Sequence, residues 1–280
     1  MPLNPDRLLR LELPPVEQSY DERDVILHAL SVGFDPADPG SLDFVYEKAL
    51  KASPTMALTL CHRSIATMDL GIDYRKVVHA AQQLRVHAAL PISGTAVAHS
   101  RISGLWDLGE RKGALLEIEK RLIDKATGVH IATSCMTALC RGDGGFGGET
   151  RPQVEQAAPS GEPDKVCKWL SSTMQAALYR LQGDMNPLHI DPAIARAVGF
   201  ERPILHGLAT FGATVRALLA EALDHDPERL ASIEGRFTAP FYPGELVRVE
   251  FWTGEGSIAF RAVAEERDVV VIKDGIATLK

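Results

Sequence analysis

A fixed-spacing echo between the two halves of the chain constrains its fold more than any other feature. Pro54 stands 40 residues before Gly94, and Pro203 stands 41 before Gly244. Each glycine closes a similar string. Arg85-Val-His-Ala-Ala-Leu-Pro-Ile-Ser-Gly94 leads into alternating Val97, His99 and Ile102. Arg236-Phe-Thr-Ala-Pro-Phe-Tyr-Pro-Gly244 leads into Leu246–Trp252. Both halves then end in paired strand-like stretches, Leu115–Leu122 with Val129–Leu139 and Ile258–Val263 with Val269–Leu279. A recurrence of this kind means one architecture built twice.

The segment Arg141–Pro163 separates the two. It is rich in Gly, Pro and Glu, lacks apolar periodicity and reads as a linker. The expected organisation is an N-terminal repeat over 1–145, a linker over 146–163 and a C-terminal repeat over 164–280. The linker contains Gly142-x-Gly144-x-x-Gly147, but Glu-Thr-Arg-Pro follows where a dinucleotide fingerprint must open a helix. It is therefore not read as a nucleotide loop. Each half reads as a helical part followed by an antiparallel run of strands. Ser19-Tyr-Asp-Glu22 has the form of a capping box, which predicts a helix starting near Tyr20. Gly207–Leu223 carries Leu208, Phe211, Val215, Leu218, Leu219 and Leu223 at helical spacing, which predicts a long buried helix. The matching stretch in the first half, Ser53–Asp69, is less apolar and is expected to be a degraded or partly exposed helix.

Composition narrows the class. Of 280 residues, 45% are hydrophobic and 24% charged, and the net charge is −7. That excludes a largely disordered chain, and an acidic chain without a basic block is a poor partner for duplex nucleic acid. The four cysteines, Cys61, Cys135, Cys140 and Cys167, form no Cys-x-x-Cys pair and read as reduced and buried. No apolar run approaches the roughly 18 residues of a membrane span. With neither a signal-type h-region at the start nor a Ser-Lys-Leu-type end, the cytoplasm is the expected compartment.

The chemistry concentrates in one string, Tyr179-Arg-Leu-Gln-Gly-Asp184-Met-Asn186-Pro-Leu-His189-Ile-Asp191-Pro192 … Gly199-Phe-Glu-Arg-Pro203-Ile-Leu-His206-Gly207. Pro187 denies Asn186 the helical region and stiffens the turn. Asp191-Pro192 is an N-cap followed by proline at the first helical position, so a short helix runs from about Pro192 to Val198. Asp184 and His189 are thus held on a rigid loop, where a carboxylate and an imidazole can share one water as an acid/base pair. His206-Gly207 opens the long helix. The unpaired N–H of Gly207, backed by the helix dipole, suits a developing enolate oxygen. Taken singly, Asp184 is also a plain turn-former, His189 a satisfied loop histidine and Gly207 a packing glycine.

As one string these residues resemble the hydratase 2 motif of the MaoC-like (R)-specific enoyl-CoA hydratases, Tyr-Arg-x-x-Gly-Asp-x-Asn-Pro-Leu-His-x-Asp-Pro followed by Gly-Phe-x-x-Pro-Ile-Leu-His-Gly-Leu. Every position is filled. Leu42–Glu47, Val78–Gln82, Arg141–Gly148 and Asp274-Gly275 extend the resemblance over nearly the whole chain, to the two-repeat members. It implies an α+β fold, the double hotdog, with a silent, substrate-accommodating first repeat and a catalytic second one. It further implies a hydro-lyase that adds water reversibly and syn to a trans-2-enoyl-CoA, giving a (3R)-3-hydroxyacyl-CoA, with no metal and no organic cofactor. In its terms Asp184 and His189 are the acid/base pair, Asn186 orients the site and Gly207 is the oxyanion donor. His79, Ala80, Met185, Pro187, Leu188, His206 and Phe237 bind substrate; His79 and Phe237 also have plainer readings, as a strand-end histidine and a core aromatic. A homodimer acting on acyl-CoA in fatty-acid metabolism is the expected assembly. The chain departs from some relatives by Leu108 in place of Lys and by Ala80 in place of Gly, so Arg111 and Lys112 are the alternative partners for the CoA phosphates. Two other readings are a hotdog acyl-CoA thioesterase, which would release thiol, and a non-catalytic acyl-CoA-binding subunit, which would lack Asp184 or His189.

Overall fold

Every strand of the computed structural model, which describes residues 3–148, 151 and 161–280, belongs to one antiparallel sheet of ten strands. The first half supplies β1 (Val16–Tyr20), β2 (Val77–Val86), β3 (Gly94–Asp107), β4 (Ala114–Asp124) and β5 (His130–Cys140). The second supplies β6 (Lys165–Leu170), β7 (Leu230–Phe237), β8 (Leu246–Thr253), β9 (Ser257–Ala264) and β10 (Val269–Leu279). Their order across the sheet is β1-β3-β4-β5-β2-β7-β10-β9-β8-β6. Read outward from the centre, the two halves have the same internal order, and β2 and β7 join them antiparallel with Gln83 opposite Glu234. The Gln83 amide donates to the Glu234 carboxylate across that seam at 2.9 Å. This is the double hotdog. Most of the linker expected over 146–163 lies outside the described residues.

Among the described residues six α-helices accompany the sheet: α1 (Pro5–Leu9), α2 (Glu22–Ser31), α3 (Met56–Thr59), α4 (Gln175–Tyr179), α5 (Pro192–Ala197) and α6 (Gly207–Ala222). The helix α6 is buried nearly all round, with Phe211, Val215, Leu218 and Leu219 fully out of solvent. Each such side chain contributes about 2 kcal/mol on burial. Its small residues let a neighbour come close. A Cβ added at Gly212 would lie 2.5 Å from Val32 Cγ1, at the end of α2. The main core accordingly runs through both halves, from Val25, Ala29 and Phe44 to Phe211, Phe251 and Phe260.

Several local expectations change. The helix α2 begins at Glu22, and its capping box is Asp21 with Asp24; Ser19 belongs to β1, where its hydroxyl pairs with that of Thr95 at 2.9 Å. An edge strand therefore lies early in each half: β1 follows α1 and precedes α2, and β6 precedes α4. The helix expected within Ser53–Asp69 is reduced to the single turn α3, and its four residues are buried rather than exposed. Cys61 and Cys140 are buried, whereas Cys135 and Cys167 are only half-buried; all four are free thiols.

Candidate active site

The loop that carries the chemistry starts where α4 runs out. Tyr179 ends α4, one turn of 3-10 helix covers Arg180–Gln182, and Gly183 breaks it at φ +120°. A carboxylate oxygen of Asp184 accepts the N–H of Asn186 at 3.2 Å. The side-chain oxygen of Asn186 in turn accepts the Leu188 N–H at 3.0 Å, capping the tight turn Pro187–His189. Asx-type bonds of this kind stiffen a turn without longer structure. Asp191 then caps α5, with Pro192 at its first position, as the spacing predicts. Asp184 thus meets its plainer reading as a turn-former, and Asn186 caps the turn that carries His189.

His189 is buried, and its Nδ1–H donates to the carbonyl of Ile204 at 2.9 Å. That fixes the neutral tautomer in which Nε2 is a lone pair. The ring stacks on His206 at 3.7 Å between centroids. His206 is the N-cap residue of α6, and its Nε2–H donates to the Asp184 carbonyl at 3.2 Å, so it clamps the catalytic loop to the helix start. Its Nδ1 is buried without a partner. One polar atom from each of Asp184, His189 and His206 lies within 4.8 Å of the others. Among the described residues this trio comes close enough to hold a metal ion.

Electrostatics set the protonation states. Burial alone would raise the Asp184 carboxyl, but His206, His62 and His189 around it hold it below the usual carboxylate range. Burial lowers His189, and it lowers His206 to about 3. At neutral pH the cluster therefore carries one negative charge, on Asp184, beside neutral imidazoles. Tyr179 packs its ring 4.9 Å from that of His206, and burial, then the Asp184 charge, push its phenol well above its ordinary range.

The first repeat closes the site across the β2–β7 seam. The pairing of β2 with β5 slips between His79 and Ala81, which makes Ala80 the extra residue of a bulge. Bulges re-aim the side chains beside them. Here the ring of His79 meets Phe237 edge-on at 4.8 Å, and its Nε2–H donates to the Ala81 carbonyl. Burial lowers His79 to about 4, against the opposing pull of Asp184. Phe237 in turn faces Gly207, since a Cβ added at Gly207 would lie 3.4 Å from its ring. Gly207 is the first residue of α6.

The structure therefore gathers Asp184, His189, His206, Gly207, His79 and Phe237 around one seam. It leaves Met185 and Pro187 exposed and Leu188 half-exposed on the outer side of the loop, with Ala80 acting through the backbone. Arg111 and Lys112 sit exposed in the turn between β3 and β4. Two neighbours escape the sequence reading. Gln182 accepts from the Thr59 hydroxyl at 3.2 Å and bonds His28, tying the loop to the first repeat. His62 lies in the stretch read as a helix, and only the contact between repeats brings it against Gly183.

A carboxylate and an imidazole beside a helix N-terminus at the seam of a double hotdog place the chain in a class that comparison with known proteins identifies. The chain belongs to the MaoC-like hydratase 2 family. Residues 153–274 match the MaoC like domain, and residues 18–142 match the MFE-2 hydratase 2 N-terminal domain. It is 37% identical to the enoyl-CoA hydratase ChsH3 of Mycobacterium tuberculosis, over 99% of this chain and 98% of that one. It is 33% identical to the peroxisomal enoyl-CoA hydratase 2 of Arabidopsis thaliana, over 96% and 93% of the two chains. The crystal structure of a MaoC-like dehydratase from Phytophthora capsici matches it with a TM-score of 0.88 at 28% identity, over 99% of this chain and 98% of that one.

Proposed function

We propose that the protein is an (R)-specific enoyl-CoA hydratase, a hydro-lyase that reversibly adds water syn to a trans-2-enoyl-CoA. The observation that carries this reading is the convergence of an ionised Asp184, a lone-pair Nε2 on His189 and the free N–H at the start of α6. A water held between Asp184 and His189 donates to both. As its oxygen bonds to C3, one O–H bond breaks and the proton passes to the pair. The C2=C3 electrons move into the thioester, and the enolate oxygen accepts the Gly207 N–H. The pair then returns its proton to C2 on the face the water used, which makes the addition syn. Dehydration is the same path reversed. The thioester supplies the carbon acidity, so the reading includes no metal and no organic cofactor.

All three groups come from the second repeat. The first repeat is read as supplying no acid/base group and as shaping the acyl channel, the shortness of α3 being its support. The proposed assembly is a homodimer, which light scattering on the purified chain tests. The proposed compartment is the cytoplasm, with the peroxisome named for the Arabidopsis relative as the alternative; imaging of a tagged chain decides.

The test is direct. Purified protein should consume the conjugated enoyl-thioester absorbance of trans-2-enoyl-CoAs without releasing thiol, and should do so equally in excess chelator. Asp184→Asn and His189→Ala should each lower turnover by roughly 10²–10⁴-fold while remaining folded. Thiol release would move the assignment to a thioesterase, and wild-type turnover in either variant would remove that residue from the mechanism.

A further inference from the structure

The two repeats meet across β2 and β7 with a local two-fold relation. Gln83 lies opposite Glu234, flanked by Ala81 opposite Arg236 and Arg85 opposite Ser232. A shift of 151 residues, the separation of Gln83 and Glu234, carries β2 onto β7 and maps this pairing onto itself. The same shift takes Phe237 back to Val86 and Leu230 back to His79. The approach to α6, Pro203 to His206, has its counterpart in Pro54 to Ala57 at α3. The catalytic site at one end of the seam therefore has a counterpart position at the other.

That position is hollow. A cavity of about 170 Å³ is walled by Pro54, Ala57, Val86, Leu90, Ile92 and Ile131. A cavity of about 150 Å³ with aliphatic walls stays dry and takes up benzene, so this one accepts a tail of about six carbons. No imidazole lines it, and its acid, Glu228, sits exposed at the mouth. Ala57 stands where the second repeat has His206, and Val86 where it has Phe237. From His79 to Val86 the strand covers about 23 Å. Leu84 and Ile233, paired across the seam and fully buried, fill the interval. A six-carbon tail held beside Asp184 does not span that distance.

The mouth is cationic. Lys51 and Lys280 stand there with Glu228. Lys51 is bound to Asp43 at 3.0 Å, whereas Lys280 has no ion pair among the described residues. The strand ends beside the mouth add to the positive charge. His99, Arg121, Thr133 and Arg85 stand side by side across β3, β4, β5 and β2, with no acid in that row. The Thr133 hydroxyl is hydrogen-bonded to Nε2 of His87 at 2.9 Å and to Nε2 of His130 at 3.0 Å, and the two rings lie 4.2 Å apart. Arg85 and His87 flank Val86, and His130 adjoins Ile131, so this cluster borders the cavity walls. In a chain of net charge −7, an acid-free group of this kind draws an anion.

The geometry points to a second, non-catalytic ligand site in the first repeat: the cavity takes an aliphatic tail of about six carbons, and the cations at its mouth take the anionic head, a carboxylate or a phosphate. The site uses none of the groups assigned to hydration, so it stands or falls apart from that reading.

Methyl NMR of labelled isoleucine reads the walls directly, with the Ile92 and Ile131 signals identified by their loss in Ile92→Val and Ile131→Val. Hexanoate and hexanoyl-CoA carry the same tail on a carboxylate and on a phosphate-bearing head, and hexanol carries it uncharged. Both methyl signals should shift saturably with the anions, and the tighter of the two identifies the head. Hexanol should bind roughly fivefold more weakly, the scale of one or two exposed ion pairs. Lys280→Ala combined with Arg85→Ala should erase that difference. Ala89→Trp, at the exposed rim, should abolish the shifts and leave both the thermal melt and enoyl-CoA turnover unchanged. Methyl signals unmoved by all three compounds, shifts that persist in Ala89→Trp, or equal affinity for hexanol in the wild type would each overturn the proposal. Should the chain hydrate no enoyl-CoA, the hydratase reading fails while the methyl titration still decides this site.

Discussion

Gly207→Pro should abolish most of the activity while leaving the helix intact, and the structure gives the reasons for both halves of that expectation. Gly207 is the first residue of α6, where the N–H has no partner four residues back, so proline removes no helical hydrogen bond. The residue before a proline must be extended, and His206 already sits at φ −56°, ψ 134°. A Cβ at this position meets the Phe237 ring at 3.4 Å, an ordinary contact. The change in stability should therefore stay within about 1 kcal/mol. What proline takes away is the one donor assigned to the enolate oxygen. Losing such a donor costs about 3–4 kcal/mol, or 10²–10³-fold in kcat. Gly207→Ala is the control, since it adds the same Cβ and keeps the N–H; it should stay within about tenfold of the wild type. Enoyl-thioester absorbance gives the rates, and a thermal melt confirms folding. If folded Gly207→Pro turns over as fast as Gly207→Ala, the oxyanion role falls and another donor must be sought.

Two further outcomes follow from burial. His28 is buried and lowered to about 4 by burial, so the unfolded chain binds a proton that the folded chain refuses as pH falls below 6.5. Stability should therefore fall between pH 6.5 and 4, with His28 alone accounting for about 2 kcal/mol by pH 5 and His79 and His206 acting in the same direction; urea unfolding at pH 7 and pH 5 measures it, and equal midpoints would contradict the burial argument. Gly212→Ala gains about 1 kcal/mol of helix propensity but drives a methyl to 2.5 Å from Val32 Cγ1. Overpacking of 1–3 kcal/mol should win, lowering Tm by a few degrees, and Val32→Ala in the same chain should restore it.

Much of this was legible in the sequence, for identifiable reasons. Caps and prolines act locally, so Asp191-Pro192 and the apolar spacing of Leu208–Leu223 place α5 and α6 to within a residue or two. The repeat echo is likewise carried by two glycines, Gly94 as the first residue of β3 and Gly244 two residues before β8. The edge strands were not legible. Val16–Tyr20 and Lys165–Leu170 are five and six residues long, and half-exposed edges lack a strong alternation. Ser19-x-x-Glu22 mimics a capping box, but Asp21 sits closer to the apolar run and captures the helix start with two N–H bonds of its own. The Ala80 bulge and the approach of His62 depend on pairing between distant segments, which no local pattern records.

The asymmetry of the two repeats explains where the site lies. The helix α6 fills the core of the second half. In the first half α3 is a single turn, and the space is filled by α2 and by Phe34 stacked on Phe44 at 4.3 Å, all within the same core as α6. Shortening that helix frees the chain after Thr59 to turn sharply at Cys61 and reach the other repeat. A full helix there would carry residues 60–62 along its axis, away from Gly183. The short α3 of one half and the half-buried His62 packed under Gly183 of the other thus go together. The first repeat lacks the Gly-Asp-x-Asn-Pro-Leu-His string, yet its β2 bulge sets His79 against Phe237 and its short helix leaves His62 under Gly183. Residues of both repeats therefore wall the seam beside Asp184 and His189.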